Sequence, residues 1–268
     1  MILRKCVFDM RDRYFPCTLT LMVLLLSMLI FGCAGKSVIG SGLPPKPLEL
    51  IARTISETDR IVATAQIDLM TAQGHYPLRA ALIIQKPSYL RLEMLPVIGT
   101  PDFFLTATPE ALRIFIPSQG ELYSGKPSAE NLARFLPWAL NIEDMVMILS
   151  CAYPPLVGKH LPYTSYEEAG LLRIDMKTGY GPSQTIWMEN DGRMARLIRH
   201  SPDGREIYSV RYEDYAVGSP LAGKITIQWA DNVTSVCVKY SDLKVEKAND
   251  FSIFELPVPA DIKVIKMD

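Results

Sequence analysis

The sequence predicts a mainly β chain of the α+β type. One strongly curved antiparallel sheet forms an incomplete barrel of about 10–11 strands, covered by an α-helical lid. Three observations predict it. Segments alternating with period two succeed one another from residue 61 to residue 117 and again from 171 to 245. Two helical stretches interrupt them midway, near residues 128–152. Several strands carry apolar residues on both faces, as a curved sheet requires when it is filled on one side and covered on the other.

The elements follow in chain order. Arg4, Lys5, Arg11 and Arg13 precede an apolar run, Leu19–Phe31, which is short of the about 20 residues that span a bilayer. Residues 1–32 therefore read as a removable export segment, and Met10 is as good a start as Met1. Removal leaves roughly 235 of the 268 residues, the size of one domain. Residues 33–47, including "AGKSVIGSGLPPKP", read as a flexible tether. The body then runs from 48 to 268. It opens with a helix that places Leu48, Ile51, Ala52 and Ile55 on one face, with Pro47 at its first position.

From Ile61 the period changes. Leu78, Ala80, Leu82 and Ile84 alternate with Arg79, Ala81, Ile83 and Gln85. Leu90, Leu92 and Met94 alternate with Tyr89, Arg91 and Glu93, and "DFFLTAT" and "LRIFIP" follow. Ser128 caps a helix over "AENLARFL", and Asn141 caps a second over "IEDMVMILSCA" that is apolar nearly all round. Strands resume at Leu171–Met176, Ser183–Glu189, Met194–His200, Glu206–Val217, Lys224–Trp229 and Val233–Val245. Asp191-Gly192 and Asp203-Gly204 are hairpin turns between them. The Pro-broken tail "FELPVPADIKVI" is placed along the sheet edge.

Composition narrows the function. The net charge is −1 with acids and bases interspersed, so no basic stripe addresses nucleic acid. Hydrophobic residues make up 49% of the chain, enough for a sizeable core. His75, His160 and His200 show no ligand spacing, and no nucleophile elbow or phosphate loop is present. No catalytic residue, metal site or cofactor is expected. Cys151 and Cys237 stand in apolar contexts, which leaves open whether they pair or remain buried thiols.

Two stretches carry a resemblance. Ile30-Phe31-Gly32-Cys33 resembles the lipobox of bacterial lipoproteins, with Phe31 in place of the usual small residue. The resemblance implies lipidation of Cys33, and Ala34 after it implies release to the outer membrane. "RLEMLPVIGTPDFFLTATPEALRIF" joins two strands through an apolar Pro/Gly turn, and with the order of elements it resembles the LolA/LolB family. In that family an unclosed barrel with a helical lid handles lipoprotein acyl chains. The resemblance implies a non-enzymatic, lipid-anchored, monomeric receptor of the LolB type, facing the periplasm from the outer membrane. Its partners would be acylated lipoproteins, a LolA-type periplasmic carrier and outer-membrane lipid. It implies a membrane-insertion loop at Pro96, Val97, Ile98 and Gly99. The residues alone leave Val97 and Ile98 either exposed or folded onto the sheet edge. For acyl chains, Leu82, Ile84, Leu92, Phe103, Leu105, Ile114, Met145, Met147, Leu149 and Trp187 are candidate cavity lining, with ordinary core packing the alternative for each. The competing functional readings are a lipoprotein of the same fold for another hydrophobic ligand, or a scaffold whose interior is full.

Overall fold

The computed structural model describes residues 38–41 (backbone only), 55–136, 140–156, 161–259 and 261–267. Cys33, the export segment, most of the tether and the helix expected before Ile55 lie outside the described residues. Ile55 itself is a buried core residue in a bend.

Among the described residues, fifteen strands form one sheet. They are β1 (Val38–Ser41), β2 (Asp59–Thr71), β3 (Gly74–Gln85), β4 (Tyr89–Met94), β5 (Phe104–Ala107), β6 (Leu112–Ile116), β7 (Glu121–Gly125), β8 (Pro162–Glu168), β9 (Leu171–Lys177), β10 (Ser183–Met188), β11 (Met194–His200), β12 (Glu206–Tyr215), β13 (Ala222–Trp229), β14 (Ser235–Lys247) and β15 (Lys263–Lys266). The spatial order is β1-β8-β9-β10-β11-β12-β13-β14-β2-β3-β4-β5-β6-β7-β15. Every pair is antiparallel except β15 with β7. The two ends of this order do not pair, so the curved sheet is an unclosed barrel. Register shifts at Trp187/Met188, Arg199/His200 and Ser241/Lys244 bend it, since each adds local twist.

The strand count exceeds the expected 10–11, and β1, β8, β7 and β15, the two outermost strands at each edge, are among the additional ones. β1 also places four residues of the stretch read as tether in the sheet, opposite β8. The hairpin signals hold. Gly192 and Gly204 have φ of 91° and 83°, and their N–H groups donate to Glu189 O and Ser201 O.

Between β7 and β8 lie the two α-helices among the described residues, α1 (Ala129–Ala133) and α2 (Ile142–Leu149). Both begin at the expected caps. Ser128 Oγ accepts from Asn131 N–H at 3.2 Å, and Asn141 Oδ1 accepts from Asp144 N–H at 2.7 Å. No helix among the described residues is long and apolar enough to cross a membrane.

The core fills the concave side, where Leu82, Ile84, Leu90, Leu92, Leu105 and Ile114 belong to one buried cluster with the apolar residues of α2. The convex side of β2–β4 is covered by the segment after β14. Phe251 and Phe254 lie 4.6 and 5.3 Å from the Tyr89 ring, and Arg91 Nη1 donates to Ile253 O at 2.8 Å. Arg60 Nη2 donates to Asp250 O. That segment then reaches the sheet edge as β15, as the Pro-broken tail requires.

Candidate functional site

The site lies between α2 and the concave face. α2 buries Ile142, Met145, Val146, Ile148 and Leu149, so it must be covered on more than one side. Three tyrosines of the opposing strands reach it. Alternation on β12 and β14 puts Tyr208, Tyr212 and Tyr240 on the concave face beside Val210 and Val238. Tyr208 Oη donates to Asp144 Oδ2 at 3.1 Å, Tyr240 Oη to Leu149 O at 2.9 Å and Tyr212 Oη to Ala152 O at 3.5 Å. Leu149 O is one of the terminal carbonyls that a helix cannot satisfy itself, so the sheet completes the helix end. Ala222 N–H donates to Cys151 Sγ at 3.1 Å, a fourth tie just past the helix.

The electrostatics follow from burial. Desolvation raises the Asp144 carboxyl above the usual carboxylate range, opposed by the Arg199 charge and the bond from Tyr208. Arg199 donates to Gln184 Oε1 at 3.0 Å and to Pro155 O at 3.3 Å, which fixes its position on the same face. Burial pushes the Cys151 thiol up to about 12, so it stays protonated and unreactive. Cys151 and Cys237 are both free. Cys237 alternates with the inward Val236 and Val238 and so faces away from Cys151.

Beneath the lid is a cavity of about 40 Å³ with only apolar surface. Leu82, Leu92, Met145 and Leu149, all candidate lining residues, border it, together with Leu140, Ile67, Trp229 and neighbouring valines. Ile84, Leu105 and Ile114 are fully buried in the same core but do not border it. Phe103 and Met147 are half-buried against that core. Leu78 stands opposite the cavity residue Ile67, and Met94 lies two residues beyond Leu92. Both continue the apolar face toward the barrel rim, where the loop after β4 begins.

Trp187 lies elsewhere. Ile186 and Met188 belong to the interior, so Trp187 points to the convex face. There its ring is flanked by the guanidinium groups of Arg173 and Arg196, 5.1 and 5.0 Å from its centroid, from the directly opposed positions of β9 and β11. Its Nε1–H donates to Glu168 at 2.5 Å. It borders no part of the cavity.

In the loop between β4 and β5, Val97 is 95% exposed and Ile98 91% exposed, with Gly99 at φ 99°. Two adjacent aliphatic side chains held almost wholly in water are unusual on a surface loop. Asp102 anchors the loop, accepting from Ser118 N–H and Oγ at 2.6 and 2.5 Å. The sequence reading missed Tyr208, Tyr212, Tyr240 and Trp229. Their signal is present, because "EIYSVRYEDY" and "KITIQW" alternate cleanly and place all but Tyr240 on the face of Val210 and Ile227.

Among the described residues no group of histidine, cysteine or acidic side chains is arranged to hold a metal ion. What the arrangement offers is a small apolar space under a helix that the sheet's tyrosines hold in place, within an unclosed barrel. This is the LolA-like fold, and solved structures share it. A LolA-superfamily protein from Nitrosomonas europaea is 16% identical with a TM-score of 0.53, covering 78% of this chain and 96% of its own. A domain from Vibrio parahaemolyticus described as an outer-membrane lipoprotein-sorting protein is 14% identical with a TM-score of 0.54, covering 77% and 93%. A DUF1329-family protein from Desulfovibrio piger is 10% identical with a TM-score of 0.56, covering 78% and 95%. No protein-family model and no curated protein sequence matches the chain.

Proposed function

We propose that this protein is a non-enzymatic, lipid-anchored receptor of the outer membrane, which takes the acyl chains of lipoproteins from a LolA-type carrier and delivers them to the bilayer. Cys33 carries the anchor, and the domain works in the periplasm as a monomer. The observation that carries the reading is the purely apolar cavity bordered by Leu82, Leu92, Met145 and Leu149, beneath a helix that hydrogen bonds hold in place. Its 40 Å³ cannot admit a long alkyl chain while α2 is seated, so the chain must replace the lid. The exchange is close to balanced. A chain of about sixteen carbons gains up to about 13 kcal/mol on full burial, at about 0.8 kcal/mol per CH₂. Lifting Leu140, Ile142, Met145, Val146, Ile148 and Leu149 out of the core costs about 1.5–3 kcal/mol each. A receptor of this kind binds without trapping.

Delivery is assigned to the loop Pro96-Val97-Ile98-Gly99, whose exposed pair would enter the bilayer. Replacing Ile98 by Glu should leave acceptance of an acylated lipoprotein from the carrier unchanged and reduce its transfer to liposomes about tenfold, since a buried carboxylate is costly in hydrocarbon. Transfer at the wild-type rate would remove the loop from the mechanism. The small size of the cavity favours one alternative, a scaffold of the same fold with a filled interior. Failure of any alkyl ligand to bind would select it.

A further inference from the structure

Most of the large apolar side chains that face water are gathered at one end of the sheet. Besides Val97 and Ile98, they are Met70, Tyr76, Tyr180, Ile207 and Val233. Strand direction places them together. β2, β4, β9, β11 and β13 end where β3, β5, β10, β12 and β14 begin, so the turns joining these pairs share one rim. Met70 and Tyr76 belong to the β2–β3 hairpin, and Tyr180 to the turn after β9. Ile207 stands at the start of β12, and Val233 in the turn before β14. Val217, Val245 and Phe251, also exposed, lie toward the opposite end, and Val264 lies on the edge strand β15. Ile67, Trp229 and Val236, which border the cavity, are within a few residues of the rim turns.

Behind this rim the convex face is positively charged. Arg79, Arg196, Arg211 and Lys239 are exposed there, on the face opposite to the inward Ala80, Leu197, Val210 and Val238. None of these cations forms an ion pair among the described residues. Arg196 stands directly opposite Arg211, and Lys224 opposite Lys239. Like charges so opposed destabilise a sheet, and an anionic surface outside it would offset them. The carboxylates of the same face are already engaged: Glu213 with Lys224 at 2.8 Å and Asp68 with His75 at 3.1 Å. Arg211 is level with Asp68, two residues or about 7 Å behind Met70, so its long side chain can reach a headgroup layer that the rim enters. The apolar tips are separated by polar turn residues such as Gln73, Asp203 and Asp231. They form a broken ring rather than the continuous apolar core of a protein interface. Tips that insert one by one, with cations behind them, suit a fluid anionic surface.

We propose that the whole rim docks on an anionic phospholipid bilayer, with Met70, Tyr76 and Val233 entering its surface beside the Val97–Ile98 loop and Arg79, Arg196, Arg211 and Lys239 facing its phosphates. This rests on the reading of the loop as bilayer-entering and adds the rest of the contact surface and the class of lipid.

The test uses the full chain, held in liposomes by its own N-terminal anchor and carrying Cys237→Ser. A bimane label is attached in turn through Met70→Cys, Ile98→Cys, Val233→Cys and Val217→Cys, all exposed positions. Quenching by a doxyl-labelled phospholipid is read in phosphatidylcholine vesicles with and without phosphatidylglycerol, after subtraction of the parent's own labelling. Labels at residues 70, 98 and 233 should be quenched several-fold more than the one at residue 217. Those at residues 70 and 233 should be quenched more in the anionic vesicles. A basic residue near an anionic surface contributes about fivefold in affinity, so Arg211→Gln together with Lys239→Gln should remove most of that difference. Quenching at residue 98 alone overturns the inference and leaves the loop as the bilayer contact. Equal quenching at residue 217 overturns it too, because the rim would then have no preference over the opposite end. Indifference to phosphatidylglycerol, or a dependence that survives loss of both cations, overturns the anionic assignment and the proposal with it. Quenching at none of the rim labels removes the bilayer reading of the loop as well and passes the rim to a protein partner.

Discussion

Asp144 ties one proton to the seating of the lid. It stands in the first turn of α2, where an acid complements the helix dipole, yet it is buried against Tyr208. Desolvation is the largest influence and raises its carboxyl above the ordinary value near 3.9. Between that value and the raised one, the folded protein holds a proton that the unfolded chain has released. Stability therefore falls as pH rises through this window and is fully present below it. Asp144→Asn keeps an acceptor for the Tyr208 hydroxyl and removes the titration. Urea midpoints should show the variant gaining on the parent as pH rises from about 4 to about 7. Parallel pH profiles would mean that Arg199 fully offsets the burial. Trp187 teaches the converse lesson at the same scale. In "IWM" three apolar residues follow one another, so periodicity cannot say which of them faces inward, and an offset of one position exchanges the faces. Only the cross-strand partners, Arg173 and Arg196, settle it.

For the lid as an element, the ends were legible and the tethers were not. Ser128 and Asn141 announce helix starts because a side-chain oxygen ahead of an apolar run has a defined local task. The expected second helix ran to residue 152, but α2 stops at Leu149, and Cys151 takes a φ of 53° to turn the chain toward the strands. That stop depends on Tyr240, Tyr212 and Ala222, all distant in sequence, which no local pattern contains. Removing one tether should loosen the lid without unfolding the sheet. Tyr240→Phe deletes the bond to Leu149 O and should cost about 1 kcal/mol, which makes opening roughly fivefold more frequent. Cys151 reports it. Buried and with its thiol pushed up to about 12, it should resist iodoacetamide at pH 8 in the parent chain and react faster in Tyr240→Phe. Cys237, outside the lid and more exposed, should react equally in both. Equal rates at Cys151 would show that Tyr240 does not hold the helix.

At the scale of the whole molecule, alternation identifies the strands whose faces are buried and loses those that exist because a neighbour offers hydrogen bonds. β8, "PYTSYEE", and β7, "ELYSG", have few apolar residues, and β1 and β15 are four residues each. These close the sheet at both edges without completing a barrel, which leaves the interior dependent on a separate lid. Their pairing is therefore a property of the assembled molecule, and β15 shows how narrowly it is set. It runs parallel to β7, Met267 N–H donates to Ser124 O at 2.8 Å, and the Met267 side chain is buried in the core. The backbone approach is allowed only because residue 125 is glycine: a Cβ there would lie 2.4 Å from Met267 O. Backbone on one side and a strand on the other leave no flexible atom to give way. Gly125→Ala should therefore detach β15 and withdraw Met267, at a cost of about 2–5 kcal/mol by the scale of large-to-small core changes. Exchange of the Met267 amide should rise to the rate of an open edge, while the α2 amides, on a different part of the sheet, keep their protection. Loss of protection across α2 as well would show that the edge and the lid open as one unit, and that the barrel's open seam, rather than the helix alone, controls access to its interior.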